Sequence, residues 1–136
     1  MTEPDRLLSR LVGSRLYTVQ FGPDHLQLRF ESDTSNHLPF LDCDVLPLVQ
    51  QGGSSHHPAG PGYADALVDL IGAEVAGTGC EPGSGVTIML VGGSVTLDPH
   101  ADEIPGDEIG TLGGFDDGSS VVWSPGEGAF DHLDRA

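Results

Sequence analysis

Two segments of this sequence, residues 11–30 and 70–97, share one pattern, and this internal similarity constrains the fold more than any other feature. Glycine, proline and apolar positions coincide at an offset of 59, which becomes 60 after one additional residue in the second turn. The matched pairs are Gly13 and Gly72, Leu16 and Val75, Phe21 and Cys80, Pro23 and Pro82, Leu26 and Val86, Leu28 and Ile88, and Phe30 and Leu90. The matched apolar positions alternate with polar ones, which is typical of half-buried strands and not of helices.

A short helix is predicted in front of each segment. Residues 2–12 and 62–71 carry apolar residues on one helical face, and each stretch ends at a glycine, Gly13 or Gly72. Strands follow both helices. They are predicted at 15–21, 25–31 and 38–41 in the first half and at 74–80, 86–91 and 94–97 in the second, with short strands at 109–112 and 120–123 and a capped helix at 124–133.

These elements predict an α+β, sheet-dominated single domain spanning residues 1–136. It would consist of two pseudo-repeated units at about 2–49 and 62–133, each a short helix followed by about three antiparallel strands. Residues 50–62 contain four glycines and two prolines without an apolar period, and they are predicted to form a flexible connector. Each half would be marginally stable alone, so we expect a shared core. A closed or partly closed barrel-like sheet would hide the strand edges of both units.

The charge balance restricts the possible partners. The chain contains 21 acidic residues, five arginines and no lysine, which gives a net charge of −16. Such a surface repels phosphate groups, which argues against binding to nucleic acids and to anionic membranes. A basic protein would instead be attracted. Alternatively, the acidity serves solubility alone.

Several classes of enzyme are incompatible with these residues. Without lysine the chain can form neither a Schiff base nor a P-loop phosphate site. Cys43 lies between Asp42 and Asp44, whose charges disfavour a thiolate, and Cys80 occupies a core position of the strand pattern. We therefore predict no catalytic residue and no cofactor. Two cysteines, no apolar run near 18 residues and no signal peptide indicate the cytoplasm.

A candidate metal site lies in the acidic segment 98–108. Asp98, His100 and Asp102 alternate, so in an extended chain they would share one face and offer ligands to a hard cation. A metal-assisted hydrolase would be the corresponding function. Because Pro99 and Pro105 favour an irregular loop, a solvated acidic loop is the competing interpretation.

Candidate interface residues lie in the last third of the chain. The acidic candidates are Asp107, Glu108, Asp116 and Asp117, which would contact a basic partner. Trp123, the only tryptophan, is predicted either to pack in the core or to anchor an interface. In a structural homo-oligomer, Trp123 and the helices would instead be buried against a second copy.

The last part of the chain carries a resemblance to a known family. The segment PGDEIGTLGGFDDGSSVVWSPGEGAF, together with the preceding LIG and GGSVTLDP, resembles a family of small acidic bacterial proteins known only as a domain of unknown function. The resemblance covers roughly residues 63–130, and it implies no catalytic residues. The resemblance implies a role as an antitoxin or immunity partner. The leading prediction is therefore a non-catalytic, immunity-like binding module whose acidic surface docks a basic protein.

Overall fold

The computed structural model describes residues 3–22, 25–33, 36–58, 60–81, 83–99, 108–126 and 130, and within them two helices and ten strands. The helices are α1 (Glu3–Ser9) and α2 (Tyr63–Asp69). The strands are β1 (Arg15–Phe21), β2 (Leu26–Glu31), β3 (Phe40–Cys43), β4 (Leu48–Gln51), β5 (Ser54–His56), β6 (Val75–Glu81), β7 (Gly85–Leu90), β8 (Gly93–Leu97), β9 (Gly110–Gly113) and β10 (Val121–Trp123). Neither helix is long and apolar enough to cross a membrane.

The strands form two antiparallel sheets of five. The first sheet has the order β1-β2-β3-β9-β10, and the second has the order β5-β4-β8-β7-β6. In each sheet, three consecutive strands are extended by a hairpin from the other half of the chain. The hairpin β9–β10 lies beside β3, and the hairpin β4–β5 lies beside β8. The predicted sheet-dominated fold is confirmed, whereas the strands of the described residues form two separate sheets and not the predicted barrel-like one.

The place where the two sheets meet explains why the described strands do not close into a barrel. Among the described residues, the only β-bridge between the two sheets joins Arg15, the first residue of β1, to Glu74, which directly precedes β6. Just beyond this bridge each strand carries a bulge, at Tyr17 in β1 and at Ala76 in β6. A bulge bends its strand and increases the local twist, so the two edges separate and no further ladder forms.

The two helix ends are connected to these strands by reciprocal hydrogen bonds. The Gly13 N–H donates to the Val75 carbonyl at 3.0 Å, and the Gly72 N–H donates to the Leu16 carbonyl at 2.7 Å. Gly13 and Gly72 have φ values of 90° and 95°, in the region that favours glycine after a helix. The two bonds correspond to each other, because Gly13 matches Gly72 and Leu16 matches Val75 at the offset of 59.

Both sheets and both helices contribute to one hydrophobic core. Across the first sheet, Leu28, Leu41 and Leu112 lie side by side, and all three are buried. The corresponding row of the second sheet contains Ile88, Val95 and Val49. The helices add further buried side chains, which are Leu7 and Leu8 from α1 and Tyr63, Ala66 and Leu67 from α2. Helix α1 packs against β6, and helix α2 packs against β4.

The segment predicted as a flexible connector is largely a hairpin. Residues 48–51 and 54–56 pair as β4 and β5, and the chain reverses at Gly52 and Gly53, whose φ values are 60° and 84°. The two glycines therefore supply a tight turn and not flexibility. The strands escaped prediction because their exposed positions are Gln and Ser, and their burial depends on pairing with the distant β8. Most of the predicted helix at 124–133 lies outside the described residues.

Candidate functional site

Three carboxylates converge at one end of the first sheet. Asp42 lies in β3 and Asp44 follows that strand, so the buried Cys43 between them separates two side chains on the same outer side. The backbone N–H of Asp44 donates to the Ile109 carbonyl at 2.9 Å, which brings Glu108 beside Asp44. We call Asp42, Asp44 and Glu108 the acidic cluster.

The carboxylate of Asp42 is contacted by the neutral amide of Gln27 and by the imidazole of His25. The Gln27 Nε2 donates to Asp42 Oδ1 at 2.7 Å, and His25 Nε2 lies 3.7 Å from the same oxygen. The Arg29 Nε in turn donates to Gln27 Oε1 at 3.0 Å. Arg29 therefore orients the amide that orients Asp42. The neutral amide of Gln27 positions the carboxylate of Asp42 but does not compensate its negative charge.

The environment of Asp44 disfavours its own negative charge. Partial burial raises the pKa of Asp44, the nearby charge of Glu108 raises it further, and His25 opposes this shift. Asp42 adds a smaller contribution in the same direction as Glu108. A cation placed among these carboxylates would relieve this unfavourable charge. The acidic cluster is thus suited to binding a cationic group.

Arg10 and Arg15 contact residues other than those of the acidic cluster. Arg15 Nη2 lies 2.8 Å from Asp33 Oδ1, and Arg15 Nε lies 3.5 Å from Glu31 Oε1. The guanidinium of Arg10 lies over the ring of Phe115, with 4.6 Å between its carbon and the ring centroid. The chain therefore places these positive charges away from the acidic cluster.

The predicted interface residues Asp116 and Asp117 are the carboxylates that Arg10 binds. Its nitrogens lie 3.5 Å from Asp116 Oδ1 and 3.1 Å from Asp117 Oδ2. The N–H of Ser119 donates to Asp117 Oδ1 at 3.0 Å and is the main cause of a lowered pKa of Asp117, with Arg10 adding to it. Both aspartates are exposed, but their charge is partly compensated within the chain.

The other predicted interface residues are distributed differently. Glu108 is exposed and belongs to the acidic cluster, whereas Asp107 lies outside the described residues. Trp123 is only 3% exposed, so a partner cannot reach it in this conformation. Its indole N–H has no conventional acceptor among the described residues and approaches the thiol of Cys80.

The predicted metal site cannot be assembled from the described residues. Asp98 is exposed just after β8, and His100 and Asp102 lie outside the described part of the chain. Within that part, no group of three or more His, Cys, Asp or Glu side chains is arranged to hold a metal ion. The metal site remains a prediction.

Both cysteine thiols are held in their protonated form. Burial is the main cause of the raised pKa of Cys43, and the charges of Asp42 and Asp44 add to it. Burial also raises the pKa of Cys80. The nucleophilic thiolate is therefore disfavoured at both positions.

Sequence inspection did not select Asp42, Asp44 or His25 as site residues. The alternation of Asp42 and Asp44 around Cys43 was visible and already places both carboxylates on one face of a strand. The proximity of Glu108 was not visible, because it depends on the pairing of β3 with β9, two strands far apart in the sequence. Comparisons with protein-family models, curated proteins and solved structures found no match. Membership of the resembled family therefore stays a prediction.

Proposed function

We propose that this protein is a non-catalytic binding module that docks a basic protein through the acidic cluster. The observation that supports this proposal best is the convergence of Asp42, Asp44 and Glu108, where the pKa of Asp44 is raised by burial and by neighbouring negative charge. A lysine or arginine side chain of the partner would supply the missing positive charge. A basic toxin would be one such partner, in line with the immunity-like role that the family resemblance implies.

Long-range electrostatics support the same function. With a net charge of −16, the chain attracts a basic protein before contact, which raises the association rate. Exposed ion pairs each contribute only about 0–1 kcal/mol, so the cluster must act through several pairs at once. We expect a complex that forms quickly and weakens as salt is added.

A pair of matched variants tests this proposal. The double variant Asp42→Asn with Asp44→Asn removes two charges from the acidic cluster and keeps the acceptor oxygen for Gln27. The control, Asp116→Asn with Asp117→Asn, removes the same charge from the aspartates that Arg10 binds. The full chain is immobilised and exposed to a lysate at about 0.1 M salt, and the captured proteins are identified by mass spectrometry.

The cluster variant should capture at least about tenfold less basic protein than the wild type, a loss of about 1.4 kcal/mol in binding free energy. The control variant should bind nearly as the wild type does. If both variants lose capture equally, net charge alone drives binding and the acidic cluster is not the site. If the wild type captures no basic protein, the proposed function is wrong.

We further propose that the chain is a tandem repeat of one unit, a helix followed by five strands, in which the two copies exchange their last hairpins. In this repeat, β1, β2 and β3 of the first copy correspond to β6, β7 and β8 of the second. The hairpin β4–β5 corresponds to the hairpin β9–β10. The bulges at Tyr17 and Ala76 and the reciprocal hydrogen bonds of Gly13 and Gly72 support this correspondence. The exchange would make the two halves one domain.

A further inference from the structure

The outer edge of β1 has no neighbouring strand over its second half among the described residues. On one side β1 pairs with β2. On the other side, the Leu16 N–H donates to the Ala73 carbonyl at 3.0 Å, and the Gly72 N–H donates to the Leu16 carbonyl at 2.7 Å. The bulge at Tyr17 follows directly and bends the strand away from this contact. We call residues 18–21, which lie beyond the bulge, the open edge.

The register of β1 and β2 shows which backbone groups of the open edge point outward. The Gly22 N–H donates to the His25 carbonyl at 2.7 Å, so these two residues form a hydrogen-bonded pair at the end of the ladder. Hydrogen-bonded and non-hydrogen-bonded pairs alternate along an antiparallel ladder. Phe21 and Val19 therefore occupy non-hydrogen-bonded positions, and their N–H and C=O groups point away from β2. No backbone group of the described residues pairs with them on that side.

Strand β6 shows how this fold can cover such an edge. Like β1, it has seven residues and a bulge near its start. Helix α1 packs against β6, and Cys80 near the end of that strand is only 4% exposed. Helix α2 packs against β4 instead, and Phe21 at the end of β1 is 47% exposed. The outermost strands β5 and β10 have only three residues each. Because natural proteins usually cover or shorten the edges of their sheets, the open edge indicates a binding function.

The side chains of the open edge suit an extended peptide. Val19 and Phe21 lie on the face of the sheet that carries the core, because they pair with the buried Leu28 and Leu26. A strand added beside β1 would place apolar side chains next to them, and such cross-strand pairs stabilise a sheet. Residues 18–21 carry no charge. Backbone groups give this kind of interaction its affinity, and alternate side chains give it specificity.

The open edge lies close to the acidic cluster. Gln20 pairs with Gln27, and Gln27 pairs with Asp42, so the three residues form one row across the outer face. Neighbouring strands are about 4.8 Å apart, which places Asp42 about 10 Å from β1 and about 14 Å from a strand added at its edge. A partner that pairs with β1 can therefore also present a basic side chain to the acidic cluster.

We propose that the open edge binds an extended segment of the basic partner, which pairs with β1 as an additional strand. This proposal rests on the proposed function and adds the way in which the partner is held. A second copy of the chain is disfavoured as the occupant, because two copies with a net charge of −16 repel each other. A basic partner is attracted to the same surface.

Amide hydrogen exchange, measured residue by residue by NMR, tests the proposal. In the free chain, the Val19 and Phe21 amides should exchange quickly, whereas the Gln20 amide, which points toward β2, should exchange slowly. The probe is a set of peptides about ten residues long, selected on the full chain from a random phage library at about 0.1 M salt. We expect these peptides to combine alternating apolar residues with lysine or arginine, and to slow exchange at Val19 and Phe21 at least about tenfold.

A pair of variants isolates the backbone contact. Val19→Pro removes the outward N–H, and proline is tolerated at edge positions whose N–H faces solvent, so the ladder with β2 keeps its bonds. Val19→Ala loses similar side-chain packing but keeps the N–H. The dissociation constant of the selected peptides should rise at least about tenfold in Val19→Pro and stay within about twofold of the wild type in Val19→Ala. Circular dichroism verifies the fold of both variants, and the exchange measurement on the wild type does not depend on them.

The proposal is wrong if the Val19 and Phe21 amides are protected in the free chain, or if no selected peptide protects them. Protection that rises with protein concentration alone would make a second copy the occupant and would also overturn it, as would an equal loss of peptide binding in both variants. These results leave capture of a basic protein through Asp42 and Asp44 unaffected. Conversely, loss of that capture with retained peptide binding would refute the docking of a basic protein and leave the open edge as a peptide-binding site.

Discussion

At the scale of single residues, two aspartates illustrate how neighbours decide the effect of a charge. Asp44 lies among other carboxylates and is partly buried, so its pKa is raised. Asp117 accepts a hydrogen bond from the Ser119 N–H and faces Arg10, so its pKa is lowered. The same ionised side chain therefore destabilises the folded state at one position and stabilises it at the other.

The substitution Asp44→Asn should raise the free energy of unfolding at neutral pH, by less than about 1 kcal/mol because the site is partly solvated. The raised pKa means that the folded state binds a proton more readily than the unfolded chain. The charged form thus costs stability above the folded pKa, and this cost disappears below the unfolded pKa of about 3.9. The increase in the free energy of unfolding that Asp44→Asn produces should therefore vanish at low pH.

Urea unfolding at neutral and acidic pH measures this effect. Asp117→Asn is the matched control with the opposite sign, because its lowered pKa gives stability above the unfolded pKa that is lost as the pH falls through the folded value. It should lower the free energy of unfolding at neutral pH. A change of the same sign in both variants would contradict the environments described for these aspartates.

At the scale of elements, the pairing of β4 with β8 joins the two halves of the chain. Gly93 in β8 lies against this partner strand, and a Cβ built at Gly93 would overlap the carbonyl oxygen of Gln50 in β4. The oxygen belongs to the backbone, so it cannot move aside without disturbing the ladder. The close approach of the two strands therefore requires glycine.

Gly93→Ala should destabilise the protein by more than about 2 kcal/mol, because the added methyl group forces β4 and β8 apart. Gly79→Ala on β6 is the control, since a Cβ there would meet no atom within 4 Å. It should change the free energy of unfolding by less than about 0.5 kcal/mol. Thermal or urea unfolding of both variants provides the measurement, and equal effects would show that β4 does not depend on this contact.

Prediction from the sequence succeeded where the contacts are local. The helices and the hairpins β1–β2 and β6–β7 follow from glycine positions and from alternation within a few residues. The pairing of β9 with β3 and of β4 with β8 joins strands up to about 70 residues apart, which a local pattern does not encode. The acidic cluster was missed for the same reason, because Glu108 reaches Asp44 only through the β3–β9 pair.

At the scale of the whole molecule, the two hairpins that pair across the halves predict that the chain stays together when its backbone is cut between the halves. A specific protease site inserted between Gly60 and Pro61 lies outside every strand and helix. After cleavage, β9–β10 still pairs with β3 and β4–β5 still pairs with β8, so the fragments should co-elute in size-exclusion chromatography at the position of the 14.2 kDa chain. They should separate only in denaturant. Elution of separate fragments under native conditions would show that the pairing of these hairpins across the halves does not hold the domain together.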